Sequence, residues 1–367
     1  MPIKTQTRAT AEETVGLLPP WEVGGFFEHC ELPLGETIPW PQPSVFFALA
    51  RHVVPGILRV NKSIRRLWIP EYFCPDVTRY WSEIVETISY LDDPGRPEPD
   101  WKSLLPAKND LVLAMNYFGM RERESWEDQR SSRDYILLED HTHDPFSAWA
   151  LTSTADYVFS SLRKSMPITD GAICWSPRGR QLPLPQGIID AHAIDLKHNA
   201  MMEKANFLTG RAFPEAKAHY RESYAKGDKY LEEGPESPIS QRALEYVRSG
   251  IPVGWRKTRE HNARELLSGL HETEATKPLF VQWPAKSVPF AVVLVFHSAR
   301  DRDRCRSYLE MNNVFCPIHW ASDRFPSASD LSARILSIPA DQRYGDEDMA
   351  KVARILNQWS LTNQPDN

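Results

Sequence analysis

Three clusters of polar side chains each follow a short apolar run in this sequence. Asn116-Tyr117-Phe118-Gly119 follows Leu111–Met115, and Glu139-Asp140-His141-Thr142-His143-Asp144 follows Tyr135–Leu138. Ser160-Ser161-Leu162-Arg163-Lys164 follows Tyr157–Phe159. In open α/β sheets ligands sit beyond the carboxyl ends of the strands, so chemistry collects at such places. A lysine there can condense with an aldehyde to form a Schiff base. An aspartate after the preceding run can keep a pyridinium nitrogen protonated, so that the ring draws electrons. The plain alternative is a surface lysine beside a surface arginine, with Asp140 capping a helix. That alternative leaves the surrounding hydroxyls and the following Asp170-Gly171 without a role.

The pair His141-x-His143 with its flanking acids also reads as part of a divalent-metal site. Pro145 stands where the HxHxDH pattern of metal hydrolases needs its acid, and no later HxxH or HxxE helix supplies a third ligand. No metal is expected.

The elements that must hold these clusters follow from hydrophobic periodicity. Leu67–Pro70, Ile88–Leu91, Leu111–Met115, Tyr135–Leu138, Tyr157–Phe159 and Ala172–Trp175 read as strands. Asp76–Thr87 reads as a helix with Val77, Tyr80, Trp81, Ile84 and Val85 on one face. Strands alternating with helices, several of them continuously apolar, predict an α/β sheet with parallel pairs. The stretch from Asp195 to Gly234 is helical and charged, and Ser240–Gly250 and Trp255–Leu270 read as further helices. Strands at Phe290–Phe296, Val314–Cys316 and Ile335–Pro339 then alternate with helices at Arg302–Met311 and Asp346–Trp359. The expected division is a large α/β domain over 1–254 and a small C-terminal α+β domain over 255–367.

Composition bounds the function. The 367 residues carry 43 Lys+Arg against 49 Asp+Glu, a net charge of -6, which offers no electrostatic footprint for nucleic acid or an anionic membrane. The longest apolar runs, such as Phe290–Phe296, are strand-length and too short to span a bilayer. Five cysteines without CxxC spacing predict no disulfide framework, and the polar first fifteen residues lack a signal-peptide apolar core, so the cytoplasm is expected.

Several segments in collinear order resemble the DegT/StrS-type family of pyridoxal-phosphate-dependent sugar aminotransferases. They are Val23-Gly24-Gly25-Phe26-Phe27, Ile69–Pro75, Asn116–Gly119, Glu139-Asp140-x-x-His143, Ala155–Lys164, Asp170-Gly171-Ala172, Arg259–Asn262 and Leu331–Pro339. The lysine segment is similar to a divergent branch that reads S-L-R-K. The resemblance implies a fold-type I (aspartate-aminotransferase-like) enzyme with a mostly parallel sheet, and active sites shared across a homodimer. It implies pyridoxal 5'-phosphate as cofactor, with Lys164 as the Schiff-base lysine and Asp140 on the pyridinium nitrogen. His143 stands near the ring oxygen, and Tyr72 or Phe73 stacks on the ring. The phosphate end departs from the family, whose S-G-[RT]-x-A turn is replaced by Pro41–Ala48 without a glycine. Ser44 at a helix N-terminus, with Ser160 and Ser161 before the lysine, are the expected substitutes. Asn116, Tyr117, Arg163, His319 and Arg343, with Arg334 nearby, are candidate contacts for the substrates. Those substrates are an amino donor such as glutamate and a keto-sugar or other carbonyl compound. Elimination, replacement or carbon–carbon bond formation on an amino acid, and a cofactor-free binding relative, remain the competing readings.

Overall fold

Short β-prone runs and longer amphipathic stretches alternate throughout the chain. The computed structural model describes residues 19–131, 134–271, 273, 276–320 and 329–363. The absence of a leader, expected from residues 1–15, lies outside them. The first elements are β1 (Val23–Gly24), β2 (Thr37–Ile38), β3 (Ser44–Phe47), α1 (Val53–Val60), β4 (Arg66–Pro70), α2 (Pro75–Ser82) and β5 (Glu86–Tyr90). Next come β6 (Leu111–Met115), α3 (Glu124–Ser131), β7 (Ile136–Asp140), α4 (Ala148–Leu151), β8 (Tyr157–Ser161) and β9 (Ala172–Trp175). A helical stretch follows: α5 (Ala191–Leu208), α6 (Ala216–Glu233) and α7 (Gln241–Val247), then β10 (Ile251–Pro252) and α8 (Val253–Gly269). The chain closes with β11 (Thr276–Pro278), β12 (Val292–Phe296), α9 (Ala299–Met311), β13 (Val314–Phe315), α10 (Ser329–Arg334), β14 (Ile335–Ile338) and α11 (Asp346–Thr362).

Seven strands form one sheet in the order β3-β9-β8-β7-β6-β4-β5. The five from β5 to β8 are parallel, and β9 runs antiparallel to both β8 and β3. Every residue of β6, β7 and β8 is buried, as parallel strands covered on both faces must be. One face packs Leu138, Tyr157 and Phe159 against α1 and α2. The other packs Leu137, Val158 and Ile173 against Trp149 and the α7 residues Ala243 and Val247. This is the α/β architecture expected of fold-type I, a large mostly parallel sheet clothed in helices.

The expected helix to Thr87 stops at Ser82, and Glu86–Tyr90 is strand β5. Thr87 and Ile88 are β-branched and pair with Leu67 and Trp68 of β4, a gain that outweighs one more helical turn. In the C-terminal part β11, β12 and β14 form an antiparallel sheet packed on α8, α9 and α11. Strand β1 pairs with β13 in parallel, Val23 beside Val314. Gly24 there has φ +93°, and a β-carbon would meet the Phe315 carbonyl oxygen at 2.0 Å, so only glycine fits. That pairing carries the next residues, Gly25, Phe26 and Phe27, to the wall of a cavity beside Lys164. No helix among the described residues is long and apolar enough to cross a membrane.

Candidate active site

The carboxyl ends of β7 and β8 lie side by side, with Asp140 in register with Phe159. Strand alternation puts Asp140 on the face of Leu138, and Ser161 on the face of Phe159, so both stand on the α1 side of the sheet. Thr142 ties the two strand ends together. Its backbone N–H donates to Asp140 Oδ1 (2.8 Å), and its hydroxyl accepts from Ser161 N–H (3.0 Å). Asp140 is 5% exposed, and burial pushes its pKa up to about 6 against the pull of the Thr142 donors and the charges of His141 and Lys164.

Lys164 ends a 3-10 turn, Leu162–Lys164, directly after β8. Its side chain opens into a cavity of about 430 Å³, and among the described residues its amine has no hydrogen bond or ion pair. The protein encircling that cavity, and then the adjacent Arg163 guanidinium, push its pKa down. A lysine amine kept free of partners and open to a cavity is a nucleophile in waiting.

The charge of Lys164 is felt by His143 and His319 as well as Asp140. His143 accepts a hydrogen bond from Phe118 N–H on Nδ1 (2.9 Å), which leaves its own proton on Nε2. Burial, then His319 and Lys164, hold its pKa well below the usual range, so the ring is neutral. Its faces stack on Phe290 (4.5 Å), Phe118 (5.2 Å) and Trp320 (5.6 Å). Phe118 and Trp320 both hold left-handed backbone, at φ 55° and 58°, a strain for aromatic residues that accumulates at this one spot. His319 pairs Nδ1 with Ser337 Oγ (2.8 Å), and burial lowers its pKa to about 3. The other histidine of the suspected metal pair, His141, turns away to Glu139 (3.0 Å) and Trp149.

At one end of the cavity α6 presents Asp228 and Glu232. Asp228 Oδ1 takes both Arg163 (2.5 Å) and the fully buried Lys197 (2.7 Å), and Glu232 takes Arg51 (2.9 Å). Three cations thus share two carboxylates beside the unpaired Lys164. Arg51 lies in a 3-10 turn, Ala50–His52, that leads into α1, and both ring nitrogens of His52 are buried without a partner among the described residues. An end with surplus positive charge at the start of a helix suits an anionic group.

Several expected contacts lie elsewhere. Ser44 begins edge strand β3 and turns its hydroxyl back to the Pro41 carbonyl, so it stands at no helix N-terminus; the β-prone run Ser44–Phe47 pairs with β9, and helical structure starts at Ala50. Ser160 points to the opposite face from Ser161, its hydroxyl buried without a partner. Asn116 is consumed by His141, Ser147 and Arg121, and Tyr117 donates to the Tyr72 carbonyl, so both brace the framework. Tyr72 and Phe73 belong to the core: Tyr72 donates to the His319 carbonyl (2.8 Å) and Phe73 stacks on Trp81. Arg343 lines the cavity, but Asp341 holds it with two hydrogen bonds of 2.8 Å. Arg334 donates to the Phe296 carbonyl. Asp170 anchors α7 by accepting from the N–H and hydroxyl of Ser240 (2.6 Å each). The sequence did not single out Asp228, Glu232 or Arg259 as cavity residues.

No family model matches this sequence, and neither does any curated protein. Solved structures do. The chain is similar to the aminotransferase TlmJ from Streptoalloteichus hindustanus at 13% identity, covering 87% of this chain and 86% of that one, with a TM-score of 0.55. It is similar to a DegT DnrJ EryC1 StrS aminotransferase from Brucella abortus at 11% identity, covering 86% of each chain, with a TM-score of 0.54. Spr1654 from Streptococcus pneumoniae, in its PLP form, matches at 10% identity over 87% of each chain, with a TM-score of 0.56. The chain shares the fold of DegT/StrS-type aminotransferases.

Proposed function

We propose that this chain is a pyridoxal 5'-phosphate-dependent aminotransferase that moves an amino group from an amino-acid donor to the carbonyl of a sugar or similar small molecule. The observation that carries the reading is the unpaired Lys164 amine, open to a cavity beside buried Asp140 on the neighbouring strand. Its fold is shared with TlmJ, an aminotransferase, and with Spr1654, which has a PLP form.

The residues present fit the cofactor. Asp140 would face the ring nitrogen, where a cationic partner offsets the cost of keeping that carboxylate charged in the interior. His143, neutral with its proton on Nε2, would donate to the ring oxygen. Arg163 and Ser161 would hold the phosphate, with Arg51 and Lys197 adding to the positive field around it. When bound, pyridoxal phosphate supplies the electron sink that spreads the charge left on the substrate carbon. Lys164 would supply the covalent anchor, and its amine, once released, would serve as the base that moves the substrate's α-proton. The stacked rings of Phe118, Phe290 and Trp320 exclude water from the His143 side.

The reading includes a homodimer with shared sites, supported by the resemblance and by exposed Leu34, Leu184 and Ile188. It includes a division near residue 254, supported by α8 starting at Val253 and by an apolar cluster drawn, apart from Val23 and Trp21, from the residues after it. The reading includes a cytoplasmic setting, supported by the resemblance alone. The test is a half-reaction. Protein loaded with pyridoxal phosphate and given glutamate should release one equivalent of 2-oxoglutarate per site. Retention of the yellow aldehyde form, with no 2-oxoglutarate released, would end the aminotransferase reading.

A further inference from the structure

We infer that Arg259, on α8, takes the carboxylate of the amino-acid substrate in the cavity. The inference rests on the aminotransferase reading for the identity of that substrate, and on the charges lining the cavity for the site itself.

Four cations line the cavity: Arg163, Lys164, Arg259 and Arg343. Arg163 is held by Asp228. Arg343, one of the arginines that the sequence offers as a substrate contact, is saturated: Asp341 takes its Nε and one terminal nitrogen at 2.8 Å each, the Phe26 carbonyl and Glu28 take the other, and its plane lies over Phe27. Lys164 is reserved for covalent chemistry. Arg259 remains. It is 5% exposed, and its single hydrogen bond runs from Nε to Gln342 Oε1 (2.6 Å). Among the described residues its two terminal nitrogens have no hydrogen bond and no ion pair, and Asp341, the acid whose charge acts on it most, is already committed to Arg343. Burial pushes its pKa down, as happens to a cation short of counter-charge.

A guanidinium buried without an anion is costly, and a ligand carboxylate meeting both terminal nitrogens repairs the deficit with a two-pronged bond. Gln342 fixes where that happens. Its Oε1 holds Arg259, while its Nε2 donates to the carbonyl of Ser165 (3.0 Å), the residue after Lys164. One side chain therefore sets the carboxylate clamp relative to the lysine turn. A carboxylate seated on Arg259 and an amine directed to Lys164 are the two ends of an α-amino acid.

The test uses glutarate, an unreactive dicarboxylate, titrated by calorimetry into the protein loaded with pyridoxal phosphate. Wild-type protein should bind it in competition with glutamate. Arg259→Gln should weaken it at least tenfold, and Arg259→Lys should recover part of the loss, with the borohydride-fixed adduct at Lys164 unchanged in both. Unchanged glutarate affinity in Arg259→Gln with an intact adduct overturns the assignment. So does inorganic phosphate displacing glutarate at equal affinity through the same arginine, because the site would then take a phosphate group. Should Arg259→Gln fail to fold, Arg259→Lys must still lose several-fold in affinity, since a point charge cannot replace the fork. Absence of the Lys164 adduct in wild-type protein would defeat the aminotransferase reading alone, because the glutarate titration of the unloaded chain reads the arginine independently.

Discussion

Asp140 shows at the scale of one residue how function is set against stability. Its folded-state pKa of about 6 lies above the ordinary 3.8, so the folded protein holds the proton more tightly than the unfolded chain. Stability therefore falls as pH rises through that window, and above about 6 the full cost is present. Asp140→Asn removes the cost. The unloaded variant should be more stable than wild type at pH 7.5 by on the order of 1–3 kcal/mol, read from urea denaturation. The advantage should vanish below pH 4, and the variant should bind pyridoxal phosphate more weakly. A variant that loses stability at pH 7.5 would mean that the carboxylate serves the fold. Asp140 and Lys164 were legible in the sequence because a strand end is a local signal, written in the residues that precede it. Arg259 was not, because what marks it is the lack of a partner, and partners are settled only when β14, α6 and α8 come together.

Helix α6 decides the electrostatics of the cavity, and its role is a property of the element. Asp228 and Glu232 are one turn apart and face inward together, and α5 brings Lys197 to the same carboxylate. Burial alone would raise the pKa of Asp228; the charges of Arg163 and Lys197 outweigh it and hold the carboxyl well below the usual range. Its contribution to stability is therefore complete above the ordinary carboxyl range and is lost as pH falls below it. Asp228→Asn leaves Lys197, fully buried, without its carboxylate, and should cost about 1–3 kcal/mol in denaturation, since the Asp228 side chain is itself 34% exposed. Adding Lys197→Met should recover most of that loss, and a double variant as unstable as the single would contradict the pairing. Periodicity shows that residues 195–234 are helical and charged, but it cannot tell which carboxylate turns inward. The same limit applies at the phosphate end. Ser44 reads as a cap from its type and the turn before it, yet the pairing of β3 with β9 places it in a sheet edge. The sheet itself was legible, because β6 and the first three residues of β7 are continuous apolar runs.

Across the whole molecule, strand β1 joins β13 far along the chain, so the two ends of the sequence close around one cavity whose far wall carries Lys164. Long-range closure of this kind leaves no local trace beyond a glycine pair, Gly24-Gly25, which the resemblance marked and the structure explains. The exposed apolar residues Leu34, Leu184 and Ile188 belong to this scale as well. Light scattering should give twice the 42.1 kDa chain mass, and a monomer at micromolar concentration would remove the shared-site part of the account. The central claim is that Lys164 is the residue that bonds to the cofactor. The most direct measurement is to incubate the protein with pyridoxal phosphate, reduce it with borohydride and map the modified peptide by mass. The protein should turn yellow and carry one adduct, on the peptide containing Lys164, with no adduct in a folded Lys164→Ala variant, whose turnover falls by roughly 10²–10⁴-fold or more. A colourless protein, or an adduct spread over surface lysines and unchanged by that substitution, would contradict that claim.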